Sequence, residues 1–263
     1  MELALLPPQS GIHFDDPSHR YWVWSPRRDR WMQPASTSQV LTLSGAKGFD
    51  STYWRRSLIE KDGLRPHEAD VYMDLHRNGR ATIGTELHGL IRAELLGGSF
   101  HPRHAESLML LATWRREFLP RIGAVLACES PLASLQRFYT GTPDLLAVID
   151  GLLLTCDWKT KVSQEKAKPD NGWGLQLGGY DQLIRDNYGI EPDGALNLMI
   201  WPGGIGDVFY NRADVMQRRI TFNQALLVHH RIRADDGCID HQGALRHLEQ
   251  CYQLGLAPTG VMP

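Results

Sequence analysis

The dipeptide Asp150-Gly151, set between the apolar runs LLAVI and LLLTC, constrains this chain more tightly than any other feature. Asp-Gly is a preferred two-residue type I′ turn, because both of its central positions need positive φ. Fixing the turn fixes the register of the hairpin. Ile149 falls opposite Leu152, and pairing outward from there puts Asp144 opposite Asp157. Residues so paired have Cα atoms about 4.5–5.5 Å apart, close enough for two side chains to reach one ion. Lys159 lies two positions beyond Asp157 and so points to the same face. Only a bulge would move this register by a residue.

Two carboxylates pressed together on an apolar sheet repel each other and lose hydration. A divalent cation removes both objections, and hard oxygen ligands in this arrangement suit Mg2+ or Mn2+. Water polarised by such an ion is a nucleophile, and the ion steadies charge on a phosphate. Lys159 would orient or deprotonate that water, or neutralise charge on phosphorus; a lowered lysine pKa near metal ions allows the base role. An acid-x-Lys tripeptide is weak alone. With 30 acidic residues and six lysines, about 0.7 occurrences are expected by chance. Asp157 and Lys159 could be a surface pair at a strand end, and Asp144, after Pro143, could simply open a strand. The weight comes from their convergence in a register set by an independent turn.

The remaining pattern predicts an α/β (α+β) fold: a central mixed β-sheet flanked by helices, with N-terminal β-rich and helical additions, in one domain over 1–263. Residues 1–50 form a β-rich segment around RYWVWS and RWMQ, and the Ser/Thr-rich start of STSQVLTLSG could cap a short helix. Residues 51–120 are helical, with one or two helices closing on Gly97-Gly98 and another stopping at Pro120. Residues 121–212 make the sheet core, with the helix LQLGGYDQLIRDN inside it, and 213–263 are C-terminal helices.

A net charge of −2 does not advertise a nucleic-acid binder. Yet Lys159, Lys161, Lys166 and Lys168 cluster within ten residues, so the global charge is a poor guide. Cys128, Cys156, Cys238 and Cys251 contain no CxxC pair, which points to reduced, partly buried thiols rather than a zinc ribbon or iron–sulfur cluster. The N-terminus lacks the charged and apolar regions of a secretory signal, and no stretch approaches a membrane span. The expectation is a cytoplasmic protein with no membrane association.

The string GTPDLLAVIDGLLLTCDWKT resembles the core motif of the PD-(D/E)XK nuclease superfamily, namely Pro-Asp, a hairpin, then acid-x-Lys. More narrowly the chain is similar to the RecB-like and phage-type exonuclease branch, over about residues 36–185. GTELHGLI matches that branch's upstream helix, QLGGY its downstream helix, and STSQVL a Ser/Thr-rich N-terminal segment. The resemblance implies a restriction-endonuclease-like core and hydrolysis of phosphodiester bonds in DNA with one or two Mg2+ or Mn2+ ions. It implies His88, Asp144, Asp157 and the Trp158 carbonyl as metal ligands, with Gln176 and Tyr180 contacting substrate. Some members of the branch carry an iron–sulfur cluster on four cysteines; this chain departs from that pattern, so no cluster is expected. A bacterial or phage-infected cell is the implied setting.

Other residues carry two readings each. A lone helical histidine is usually structural, and only the motif context gives His88 a site role. Glu86, two positions from His88, could contact the metal through water but reads better as a solvated side chain. Gln176 and Tyr180 share a helix face, and Tyr180 could equally pack in the core. Glu129 could flank the site, although a background role is favoured. Lys161, Lys166 and Lys168 could touch phosphates or sit in a solvated loop. Tyr21-Trp22-Val23-Trp24 could stack bases but fits strand packing better. HPRH and His229-His230 do not supply three or four zinc ligands at recognised spacing.

Three functions compete. The leading one is an exonuclease of DNA recombination, repair or phage replication, for which analogy suggests a single-strand annealing protein as partner. The second is a structure-specific or restriction-type endonuclease. The third is a non-catalytic DNA-binding module, against which the presence of all three core residues argues.

Overall fold

The computed structural model describes residues 1–15, 20–46, 51–236 and 239–253. Cys238 and the side chain of Cys251 lie outside the described residues. Cys128 and Cys156 are buried free thiols, as the spacing predicts.

The elements are β1 (Glu2–Leu3), β2 (Ile12–Asp15), β3 (Arg20–Ser25), β4 (Arg30–Met32), β5 (Ala35–Ser36), α1 (Thr37–Leu43), α2 (Thr52–Glu60), α3 (Pro66–Leu96) and α4 (Ala105–Glu117). Then come β6 (Ile122–Cys128), β7 (Leu132–Ser134), β8 (Tyr139–Gly141), β9 (Leu145–Ile149), β10 (Leu152–Thr160), α5 (Asn171–Tyr188), β11 (Gly194–Trp201), β12 (Gly204–Asn211), α6 (Arg212–Asp235) and α7 (Ile239–Gln253). The fold is mixed α/β, with seven α-helices among the described residues and a central sheet of order β1-β6-β9-β10-β11-β12. That sheet is mixed: β1–β6 and β10–β11 are parallel, while β6–β9, β9–β10 and β11–β12 are antiparallel. Two three-stranded sheets, β2-β3-β4 and β5-β8-β7, complete the strands.

Asp150 and Gly151 have φ of 49° and 83°, the backbone that a type I′ turn requires. The register follows the turn, from Leu152↔Ile149 to Cys156↔Leu145. Alternation then sorts the strands between two cores. Leu145, Ala147, Ile149, Leu154, Cys156 and Trp158 face α3 and α4. Leu146 and Ala195 face α1, α5 and α6 on the other side. Because β10 and β11 are parallel, the chain between them must cross over. Helix α5 makes that crossover and carries Gln176 and Tyr180 over the sheet face that bears Asp157.

Ser36 caps α1 in a reciprocal arrangement with Gln39: the Gln39 N–H donates to Ser36 Oγ, and the Ser36 N–H donates to Gln39 Oε1. Where the sequence leaves one helix or two, α3 is a single helix of 31 residues, beginning with Pro66 and ending at Gly97, φ 72°. At about 1.5 Å per residue it is about 46 Å long, enough to run past the sheet and present His88 at one end of it. The glycines of QLGGY serve packing. A Cβ on Gly178 would lie 2.6 Å from the Arg218 carbonyl carbon, so glycine lets α5 touch the α6 backbone. The strand pair β1–β6 has no counterpart in the sequence reading, being too short to show a period. Among the described residues no helix is long and apolar enough to cross a membrane.

Candidate active site

The β9–β10 ladder ends at Leu145, one residue short of Asp144. At Asp144 the backbone turns toward β6, and its carbonyl accepts the Glu129 N–H at 3.0 Å. Its side chain replaces the lost rung: Asp144 Oδ2 accepts the Trp158 N–H at 2.7 Å. In a strand the N–H and C=O of one residue point to the same edge. The Trp158 carbonyl is thereby aimed at the open edge beside Asp144, where the resemblance puts a metal ligand.

Asp157 sits on the face predicted for it, with Lys159 beside it. Lys159 Nζ is 2.7 Å from Asp157 Oδ1 and 2.6 Å from Oδ2. The third partner, Asn197, belongs to no motif in the sequence. It lies opposite Asp157 in the parallel register, and its Nδ2 donates to Asp157 Oδ2 at 3.0 Å. Asp157 and Asn197 are buried, and Asn197 Oδ1 is buried with no hydrogen-bond partner. The signal available was one polar residue inside the apolar strand GALNLMIW.

From the other side of the sheet, α3 brings His88 to the same edge. His88 Nδ1 is 2.7 Å from Glu129 Oε1 and 3.5 Å from Asp144 Oδ1. One ligand atom each of His88, Glu129 and Asp144 lie within 4.8 Å of one another, a group that could hold a metal ion. Glu129 therefore belongs to the site and not to its background. It gets there by φ 48°, a left-handed turn that a non-glycine residue adopts at a cost of about 1–3 kcal/mol. Asp157 stands outside the group, with both oxygens occupied by Lys159 and Asn197.

The electrostatics are those of a cluster short of positive charge. Burial pushes the Asp144 carboxyl well above its ordinary range; the charges of Asp157 and Glu129 add to this, and His88 opposes it. Burial would lower His88, but Asp144 and Glu129 outweigh it and raise its pKa to about 9. Burial would likewise lower Lys159, yet Asp157 and Asp144 hold it above its ordinary value. Paired with Asp157, Lys159 is thus an ammonium, whereas the lowered pKa expected of it belongs to a site that holds metal ions. Only an ion that took over Asp157 would reverse that logic.

Glu86 requires a correction as well. It is neither solvated nor near the cluster but buried under the start of α4. It accepts hydrogen bonds from the backbone N–H of Arg103 and His104, the His104 ring and the Ser107 hydroxyl. Burial alone would raise its pKa, and these four donors bring it down to about 2.

A cavity of about 450 Å³ opens over the site. Gln176 and Tyr180 line it, both buried, with Gln176 Nε2 donating to the Tyr180 hydroxyl at 2.6 Å. Lys161 lines it too, its ammonium 4.4 Å from the Trp173 ring centre and its pKa lowered by burial. Lys166 and Lys168 are exposed and take no part in the lining. Tyr21 is buried as strand packing predicts, although it reaches the cavity wall and its hydroxyl pairs with Thr142 Oγ1 at 2.7 Å. Arg80, Trp173 and the Ser36–Ser38 segment also line the cavity. Arg80 donates to Glu106 at 2.5 Å, while its Nη2 is buried without a partner.

The donor set fits a divalent cation. Two carboxylates, Asp144 and Glu129, meet the His88 imidazole with a third, Asp157, beside them; Asp144 and Asp157 are buried, and burial drives Asp144 toward protonation. The oxygen-rich set suits Mg2+ or Mn2+, and the imidazole tilts it toward Mn2+.

No family model and no curated protein matches this chain. Among solved structures, the crystal structure of SSO0001 is similar at 20% identity and a TM-score of 0.21, over 32% of this chain and 39% of that one. A likeness of that size carries no argument about fold or function.

Proposed function

We propose that this chain is a Mg2+- or Mn2+-dependent deoxyribonuclease with a PD-(D/E)XK site on a restriction-endonuclease-like core. The single observation that supports this best is the meeting of Asp144, Asp157 and Lys159 at one end of a hairpin, beneath a cavity that also takes in His88 and Glu129. A bound divalent cation would supply a polarised water and neutralise charge on a phosphate.

The chain's own residues do the rest. Asp144, Asp157, Glu129 and His88 would hold the ion, with the Trp158 carbonyl at the open edge. Asn197 fixes the rotamer of Asp157, and the peptide N–H of Trp158 fixes that of Asp144. Lys159, released once Asp157 turns to the metal, would meet a phosphate oxygen or orient the attacking water. Gln176 and Tyr180 present a hydroxyl and an amide to the substrate, and Lys161 adds charge at the rim.

Action on DNA ends is the reading the cavity favours. Its volume falls among ordinary small-ligand pockets, about 300–1,000 Å³, and Phe14, Tyr21 and Trp173 give it aromatic walls. That suits a terminal nucleotide stacked on a ring more than an uninterrupted duplex. The test is cleavage of end-labelled linear DNA and of covalently closed circles with Mg2+ or Mn2+. Linear DNA should be degraded and circles spared, and Asp157→Ala should lower the rate about 100-fold or more, as loss of a metal ligand does. Full activity in Asp157→Ala, or none in the unaltered protein, refutes the proposal.

A further inference from the structure

A second group of possible metal ligands shares no residue with the cavity. His229 and His230 are neighbours on α6, and His241 comes from the first turn of α7. One ring nitrogen from each lies within 4.8 Å of the others, and all three side chains are buried. From sequence, His229-His230 lacked a third partner; helix α7 supplies it.

The tautomers follow from the hydrogen bonds. His230 Nε2 is 2.8 Å from the Arg137 carbonyl, which can only accept, so Nε2 carries the proton. Its Nδ1 is then a bare lone pair facing His241 Nδ1 at 2.8 Å. A ring N–H tied to a carbonyl while the other nitrogen points at a shared centre is the orientation protein-bound metals impose on histidine. His229 gives the independent observation. It is 2% exposed, and neither of its ring nitrogens has a hydrogen-bond partner. Buried polar atoms are nearly always paired, and here an ion bound by His230 and His241 would pair one of them.

We propose that His229, His230 and His241 form a Zn2+ site separate from the oxygen-rich centre. Three imidazoles without a carboxylate suit a borderline ion such as Zn2+ and discriminate against Mg2+. Burial, chiefly, keeps all three rings neutral at physiological pH, with pKa values near 3, 4 and 4 for His229, His230 and His241. That is the ligating form. Binding displaces the proton shared by His230 and His241, whose nitrogens must part to about 3.3 Å for tetrahedral bonds of about 2.0–2.1 Å. Arg233 adds positive charge near His229 and His241, which opposes a cation, so a bound ion would need an anion such as hydroxide as its fourth ligand. The ion would tie α7 to α6 and to the β7–β8 turn, where the Phe138 ring stands edge-on to His241 at 5.0 Å.

The test is calorimetric titration of the chelator-stripped full chain with Zn2+ in excess Mg2+, using His88→Gln so that the other centre lacks its imidazole. One Zn2+ equivalent is expected in that variant. Adding His241→Gln should weaken it by more than about 100-fold, since even outer partners of metal ligands are worth 10–100-fold. X-ray absorption at the zinc edge of the His88→Gln protein should show imidazole scattering from three rings, a readout that holds if the double variant fails to fold. No Zn2+ equivalent in His88→Gln, an oxygen-dominated shell, or unchanged affinity after His241→Gln overturns the proposal.

Discussion

Replacing Glu86 by glutamine separates a structural carboxylate from the proposed metal centre, whose His88 is two residues away. Its pKa falls from the ordinary 4.5 to about 2 on folding. At about 1.4 kcal/mol per tenfold change in proton affinity, the folded state gains about 3 kcal/mol from the ionised form at neutral pH. Glutamine keeps one acceptor oxygen but turns the other into a donor facing donors, either Arg103 N–H and the His104 ring or His104 N–H and Ser107. The expected loss is about 3 kcal/mol, or about 6–12 °C in the melting midpoint of a chain this size. A carboxyl whose folded pKa is depressed stabilises above its unfolded pKa and loses that effect as pH falls through its folded one. The gap between wild type and Glu86→Gln should therefore be full at pH 7 and shrink from about pH 4.5 toward pH 2. Urea unfolding at several pH values measures it. A gap below about 1 kcal/mol at pH 7, or one that stays constant as pH drops, refutes the reasoning. Metal-dependent DNA cleavage should persist at temperatures where the variant is folded; its loss there would return Glu86 to the site.

Asn197→Leu should lower cleavage about 10–100-fold by freeing Asp157, the usual cost of losing a residue that orients a metal ligand. It should not lower stability in proportion, because it also removes the orphaned Oδ1; equal activity would contradict the positioning role. The cluster stores protons where it lacks a cation, with His88 raised to about 9 and Asp144 raised by burial. Mn2+ binding should then expel protons and strengthen from pH 6 to about pH 9. Calorimetry in two buffers of different ionisation enthalpy reads the release, and heats independent of buffer would contradict it.

The hairpin was legible because its information is local: one dipeptide demands positive φ twice, and alternation carries the register to Asp144, Asp157 and Lys159. His88, Gln176 and Tyr180 were legible only through motif context, since helical spacing alone cannot tell a ligand from a core residue. Glu129 was hidden because the β6–β9 pairing shifts register twice, between Ile122 and Ala124 and between Val125 and Ala127, and no count along the sequence predicts where that strand's end points. Asn197 was hidden in an apolar run, and its role exists only through the parallel register with Asp157. Glu86 was misread because its burial depends on where α4 docks on α3, a tertiary event with no period of its own. The same holds for His241, which meets His230 only because α7 packs on α6.

The proposed function stands on Asp144 and Asp157 holding one divalent ion between them at the open end of the hairpin. Anomalous diffraction from crystals grown with Mn2+ tests it most directly. The expected result is a manganese peak bonded to both carboxylates, with Glu129 or His88 and the Trp158 carbonyl in contact and Lys159 moved off Asp157. No peak there at saturating Mn2+, or a peak bound by Asp144 while Asp157 stays paired with Lys159, would contradict it.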